Sequence, residues 1–156
     1  MRSLQQAHWV ERTGFTLVEL LVVIAILAIL VTIGIPNFGP TVANGRATAA
    51  ANDLLGALQL ARSEAVRLNE PVLVSPAGGN WAGGWTITRD GTTLRQRDAL
   101  PRVTITGPAN IAFGSAGNAM PADSFTITVT GGGNPSRCLE VTASGNAVVN
   151  TGVCGT

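Results

Sequence analysis

The sequence predicts an α+β fold: a long N-terminal helix, half of it apolar enough for a membrane and half amphipathic, packed on an antiparallel β-sheet domain. Three observations predict it. From Phe15 to Ile35 the chain runs 21 residues with Glu19 as its only charge. From Ala47 to Leu68 apolar residues recur every three or four positions, the period of one helical face. Beyond Pro71, short alternating runs rich in Thr, Val and Ile are separated by Gly, Asn, Asp and Pro, the pattern of strands and turns. With the first third of 156 residues helical, about ninety residues remain, enough for one small core.

The apolar segment comes first. At about 1.5 Å per residue, a helix over 15–35 crosses a hydrocarbon core of roughly 30 Å. Arg2 and Arg12 precede it, and the next basic residue is Arg46. The positive-inside bias therefore puts the N-terminus in the cytoplasm and the C-terminal domain across the membrane. A secretory signal peptide is the rival reading, with Ala47-Thr48-Ala49 as the nearest small-residue cleavage site, well past the end of the run. A permanent anchor is the plain alternative, and it leaves Gly14 and Glu19 without a purpose. A carboxylate costs about 2.5–3.5 kcal/mol at the middle of a span and less near its end. One turn into the helix, Glu19 faces the positive end of the macrodipole.

Pro36, Gly39 and Pro40 are expected to weaken or kink the helix. After them Ala47, Ala50, Leu54, Leu58, Ala61, Ala65 and Leu68 form a narrow, Ala-rich stripe that lets a sheet approach closely. Arg46, Asp53, Arg62, Glu64 and Arg67 fall off it. A coiled-coil seam would have mostly Ala layers over too short a run. Asn69-Glu70-Pro71 ends the helix. A single straight element from Phe15 to Leu68 would reach about 80 Å.

Val72-Leu73-Val74 is the first strand. Trp85–Arg89 and Thr92–Arg97 alternate around Asp90-Gly91, a strong hairpin signal. Val103–Thr106, Ile111–Phe113 and Phe125–Thr130 are further strands, with a loop from Gly114 to Ser124. Arg137–Val141 and Ala147–Val149 pair around Ser144-Gly145-Asn146. Many short strands at this spacing argue for antiparallel sheets packed on the helical stripe.

Composition excludes much chemistry. All ten basic residues are Arg, so there is no Lys for a Schiff base or a phosphate-binding loop. The only His is His8, and there is no Tyr. Past Gly14, therefore, neither a Ser-His-Asp triad nor a His-ligated zinc site can be built. Arg2, Arg12 and Glu11 precede Gly14, so the ten basic and nine acidic residues become eight of each beyond it. A balanced chain exerts no general pull on nucleic acid.

Gly14-Phe15-Thr16-Leu17-Val18-Glu19-Leu20 and the apolar run after it resemble the processing site of type IV prepilins and type II secretion pseudopilins. The resemblance implies that a prepilin peptidase cuts after Gly14 and methylates the new N-terminal residue, Phe15. It implies that Glu19 pairs with the Phe15 amine of a neighbouring subunit in a filament. By itself Gly14 would be a helix-start glycine, and Glu19 a neutraliser of its own helix start. Pro36 matches the family's habitual proline. Leu58-Gln59-Leu60-Ala61-Arg62-Ser63-Glu64-Ala65-Val66-Arg67 is similar to the helix end of the GspH/FimT branch of minor pilins, as is Gly83-Gly84-Trp85 before a strand.

The implied organisation is a cleaved leader at 1–14, a transmembrane and filament-core half-helix at 15–35, an amphipathic half at 36–70 and a periplasmic β domain at 71–156. The resemblance implies a non-enzymatic subunit without cofactor or metal. It first spans the bacterial inner membrane once and then joins a type IV pilus or type II secretion pseudopilus with other pilins. The alternative is a DNA-capturing minor pilin for transformation. Some FimT-like pilins bind DNA through a basic tail with Gly-Arg-x-Arg. Here the matching place reads Gly145-Asn146-Ala147-Val148-Val149, and no Arg follows Arg137. Another alternative is a lone membrane-anchored periplasmic domain.

Three further groups stand out. Cys138 and Cys154, exported by the orientation above, favour a disulfide; two buried thiols or a redox pair are the other options. Trp85 is expected in the core and Trp81 partly exposed. Arg95 and Arg97 share one strand face and are the candidate nucleic-acid contacts, although a solvated, partly paired face explains them as well.

Overall fold

The computed structural model describes residues 14–34 and 38–155. The chain divides into two units, Met1–Asn37 and Phe38–Thr156. In the first, helix α1 (Leu17–Gly34) follows three irregular residues. It is apolar on every side, and all side chains from Gly14 to Val31 are exposed. A helix of that kind is normally covered by something else. Among the described residues no helix is long and apolar enough to cross a membrane. The 18 residues of α1 span about 27 Å at 1.5 Å each, just short of a hydrocarbon core of roughly 30 Å. Ile35 and Pro36 lie outside the described residues.

The second unit begins with helix α2 (Gly39–Leu68). The helix expected from Phe15 to Leu68, weakened or kinked at Pro36 to Pro40, is described as α1 and α2, and 35–37 between them lie outside the described residues. Pro40 sits in the first turn of α2, where a missing N–H costs nothing. Gly39 and Pro40 thus stand at the start of α2. The stop at Asn69 is as expected: it adopts the left-handed conformation (φ 54°), and its N–H donates to Ala65 O and Val66 O.

The stripe on α2 is buried at Ala43, Ala47, Ala50, Ala51, Leu54, Leu58, Ala61 and Ala65. Ala43 and Ala51 join the expected set, and Leu68 is half-buried. Against this stripe pack two antiparallel sheets. One has the order β3-β2-β1-β5-β6 and comprises β1 (Val72–Pro76), β2 (Trp85–Arg89), β3 (Thr92–Arg97), β5 (Ile111–Phe113) and β6 (Ala119–Met120). The other, β4-β7-β8-β9, comprises β4 (Val103–Thr106), β7 (Ser124–Val129), β8 (Ser136–Val141) and β9 (Ala147–Thr151). Alternation puts Val72, Val74, Ile87, Ile111, Phe113, Phe125, Ile127 and Leu139 in the core with Leu54 and Leu58. Alanine on the helix lets the sheets come close enough to bury these larger residues fully.

Every expected strand is present, and β6 is an addition inside the expected 114–124 loop. The β2–β3 hairpin turns at Asp90 (φ 44°) and Gly91 (φ 75°), two positive φ values in succession, as a primed turn requires. Trp81 corrects the expectation of partial exposure: only 3% of it is accessible. Its Nε1–H donates to Pro108 O at 2.7 Å, so the indole buries no unpaired donor. Its ring meets Phe125 edge-on, with centroids 4.8 Å apart. This contact joins the turn before β2 to the other sheet. Gly84, at φ 99°, has no room for a side chain: a Cβ there would lie 2.1 Å from Arg97 O.

Three arginines tie the sheets to α2 along its length. Arg137 on β8 donates to Asn44 Oδ1 (2.9 Å) and Thr48 Oγ1 (3.0 Å). Arg97 on β3 donates to Asp53 Oδ2 at 2.6 Å. Arg62, on α2, donates to Gly117 O (3.0 Å), Asn146 Oδ1 (2.8 Å) and Ser144 O (2.9 Å). It therefore holds the β5–β6 and β8–β9 turns together. The glycines there allow it: a Cβ on Gly145 would lie 1.9 Å from Gly117 O. Hydrogen bonds to charged groups contribute about 1.5–3 kcal/mol each, less where water can replace them. Arg62→Ala is expected to lose about 2 kcal/mol in denaturant unfolding. A loss under about 0.5 kcal/mol, within the range of an ordinary surface change, would show that the clasp adds nothing.

Candidate functional site

The N-terminal site is built from backbone and one carboxylate. Thr16 precedes α1, and its Oγ1 accepts the Glu19 N–H at 3.2 Å. Thr16-Leu17-Val18-Glu19 is the spacing of a capping box. It starts the helix at Leu17 and leaves Gly14 and Phe15 outside it. Gly14 is exposed, and a Cβ built on it meets nothing within 4 Å. Phe15 is 82% accessible. The Glu19 side chain lies in the first turn and is exposed. The arrangement leaves the Gly14–Phe15 peptide bond exposed, without a side chain on its Gly14 side, and places a carboxylate in the first turn after it. Cleavage after Gly14 would add an amine at Phe15. Thr16 is the site residue that sequence reading passed over, although the Thr-x-x-Glu spacing signals it.

The arginine pair belongs to the second unit. In the β2–β3 register Arg95 lies opposite Ile87 and Arg97 opposite Trp85. Since Ile87 and Trp85 are buried, both arginines point to the α2 side of the sheet. There they edge a groove of about 340 Å³ with Gly56, Ala57 and Leu60. Arg97 is occupied by Asp53, with both side chains more than two-fifths exposed, so this ion pair is worth at most about 1 kcal/mol. Asp53 was not legible as its partner from 44 residues away. The place where DNA-binding arginines sit in the FimT resemblance, 145–149, is a turn already gripped by Arg62 and the strand after it.

Cys138 on β8 and Cys154 beyond β9 are joined by a disulfide, with Cα atoms 4.9 Å apart. The Cys154 N–H also donates to Thr126 Oγ1 at 3.2 Å. The tail is thus fastened across β8 to β7.

Comparison with known proteins adds to these observations. The model of the family described as type II transport protein GspH matches residues 50–145. That of the prokaryotic N-terminal methylation motif matches residues 11–35. The type IV narrow pilus major component PilA5 of Thermus thermophilus is 35% identical over 98 residues, covering 59% of this chain and 84% of PilA5. Among solved structures, the type IV minor pilin FimU of Pseudomonas aeruginosa superposes with a TM-score of 0.61 at 23% identity, covering 71% of this chain and 92% of FimU. The minor pseudopilin EpsH of the Vibrio cholerae type 2 secretion system gives 0.52 at 13% identity, covering 71% and 99%. At these identities the two structural likenesses concern the fold.

Proposed function

The chain belongs to the GspH family of type II transport proteins, and on that premise we propose that it is a minor pilin or pseudopilin, a structural subunit of a type IV pilus or type II secretion filament. The observation that carries this reading is α1. It is an all-round apolar helix, capped by Thr16, with Glu19 in its first turn and an exposed Gly14-Phe15 bond before it, inside a matched methylation motif.

The steps follow from that chemistry. The chain inserts once into the inner membrane, with the Arg2 and Arg12 leader in the cytoplasm and the β domain outside. Prepilin peptidase cuts after Gly14 and methylates Phe15. The 15–35 segment then leaves lipid for a bundle of like helices, where Glu19 meets the Phe15 amine of a neighbour. Residues 36–70 and 71–156 form the part carried outside that bundle. The subunit does no catalysis. DNA capture is not favoured: Arg97 is paired, and the 145–149 region carries no arginine.

Mass spectrometry of the protein purified from membranes tests the reading. The expected N-terminus is methylated Phe15. An intact chain, or one cut near Ala49, would rule the reading out.

A further inference from the structure

The charges of the second unit are unevenly placed, and this points to a surface that no family likeness assigns. At the end of the unit where α2 begins, three arginines lie at one level. Arg137 binds Asn44 and Thr48 in the early turns of α2. Arg46 projects from the same turns and is exposed. Arg102, also exposed, adjoins the β7–β8 loop, since its carbonyl accepts the Thr130 N–H at 3.4 Å. That loop rests on the first turn of α2, where a Cβ on Gly132 would lie 2.6 Å from Gly39 O. Among the described residues, neither Arg46 nor Arg102 has an ion-pair partner, and Arg137 is held by neutral oxygens. Among the described residues Asp98 is the acid nearest Arg102 in sequence, and its backbone lies beside Gly84.

The other acids are paired or distant. Asp53 holds Arg97, Glu64 holds Arg67, and Glu70 holds Arg89. Asp90 turns the hairpin beside Glu70, and Glu140 lies toward the β8–β9 turn that Arg62 grips at the far part of α2. Opposite Glu140 in the register is Ser124, which follows Asp123. The arginine end also carries exposed Phe38 and Val42, 61% and 48% accessible. The positive end of the α2 dipole points the same way. Cations ringed around exposed apolar side chains are the composition of a surface that lies on a lipid interface.

We propose that this end of the second unit docks on anionic phospholipid headgroups while the subunit is stored in the membrane. Arg46 and Arg102 face the phosphates, Arg137 adds its charge from beside Asn44 and Thr48, and Phe38 and Val42 face the acyl boundary. The proposal rests on the membrane insertion of α1 read above. The chain between Gly34 and Gly39 is four residues long, which confines this end to the neighbourhood of whatever surface α1 enters. Each arginine near an anionic surface adds about a factor of five to association. Three would hold a free domain weakly but suffice for one already tethered, where the effective concentration is high.

The test uses the full chain reconstituted in phosphatidylcholine vesicles and in vesicles with one-quarter phosphatidylglycerol. Hydrogen exchange is read over Phe38–Val42 and Gly131–Gly133. Exchange is expected to slow about fivefold with phosphatidylglycerol, to recover at about 0.5 M salt, where screening is nearly complete, and to show no such slowing in Arg46→Gln/Arg102→Gln. Both variant sites are exposed and unpaired, so the fold is untouched. Equal exchange in the two vesicles, slowing that persists in the double variant, or equal protection by a short DNA duplex with neutral vesicles would overturn the proposal. A chain that fails to insert at all would overturn the membrane reading and this one with it; an inserted chain with equal exchange overturns this one alone.

Discussion

Gly14→Val is expected to leave the chain uncut, with the leader mass retained, while the folded protein keeps its stability. The two halves of this result have separate causes. In the structure a Cβ at Gly14 meets nothing within 4 Å, and the residue lies outside α1. The fold therefore gives no reason for glycine there. On the proposed reading the reason lies with a peptidase that closes on the backbone and cannot tolerate a side chain. Glu19→Ala is the contrasting variant. Its backbone N–H still reaches Thr16 Oγ1, so α1 starts at the same place and cleavage proceeds. What it lacks is the carboxylate that, on the proposed reading, meets a neighbour's Phe15 amine, and without it that amine is left as an uncompensated charge away from water. Processed but poorly assembled protein is the expected phenotype, read by the mass of the mature chain and by its recovery in sheared filaments. Normal cleavage of Gly14→Val, or normal assembly of Glu19→Ala, would contradict the respective role.

The second large effect concerns the disulfide. Replacing Cys138 and Cys154 together by Ser is expected to cost about 3 kcal/mol, the chain-entropy value for a loop of this size. The separation of 16 residues sets that loop. In a unit of this length the melting temperature should fall by roughly 10 °C. The loss should concentrate at the end of β9 and the tail, where Cys154 is the residue that crosses back toward Thr126. β7 and β8 remain paired through their own ladder. Denaturant titration of the oxidised protein and of the double variant measures the difference. A loss below about 1 kcal/mol would mean that the strand ladder, and not the cross-link, holds the C-terminus.

The sequence could be read wherever a local rule decides the outcome. The Asp90-Gly91 turn needs two positive φ values, and few other residue pairs supply them. Asn69-Glu70-Pro71 stops α2 because a left-handed cap and a proline follow the last turn. The 3,4 spacing from Ala47 to Ala65 placed the buried face, and strand alternation placed the sheet residues that meet it. The proposed processing site is equally local, since Gly14, Phe15 and Glu19 lie within six positions.

What only the tertiary structure decided depends on partners far away in the chain. Trp81 is buried because Pro108, 27 residues on, accepts its N–H. Strand β6 is two residues long, too short for a periodic signal, and exists because β5 pairs with it and Ala143 O accepts the Ala119 N–H. Arg62 reads in sequence as one charge off the stripe, yet it reaches turns 55 to 84 residues away. Arg95 and Arg97 were rightly placed on one face, but which face, and that Asp53 takes Arg97, followed from the hairpin's packing on α2. Local conformational preference and side-chain period are properties of adjacent residues, so the sequence alone determined the fold class of this subunit. The placing of its arginines on clasps and groove required long-range contacts, because a guanidinium is defined by whichever oxygens the fold brings to it.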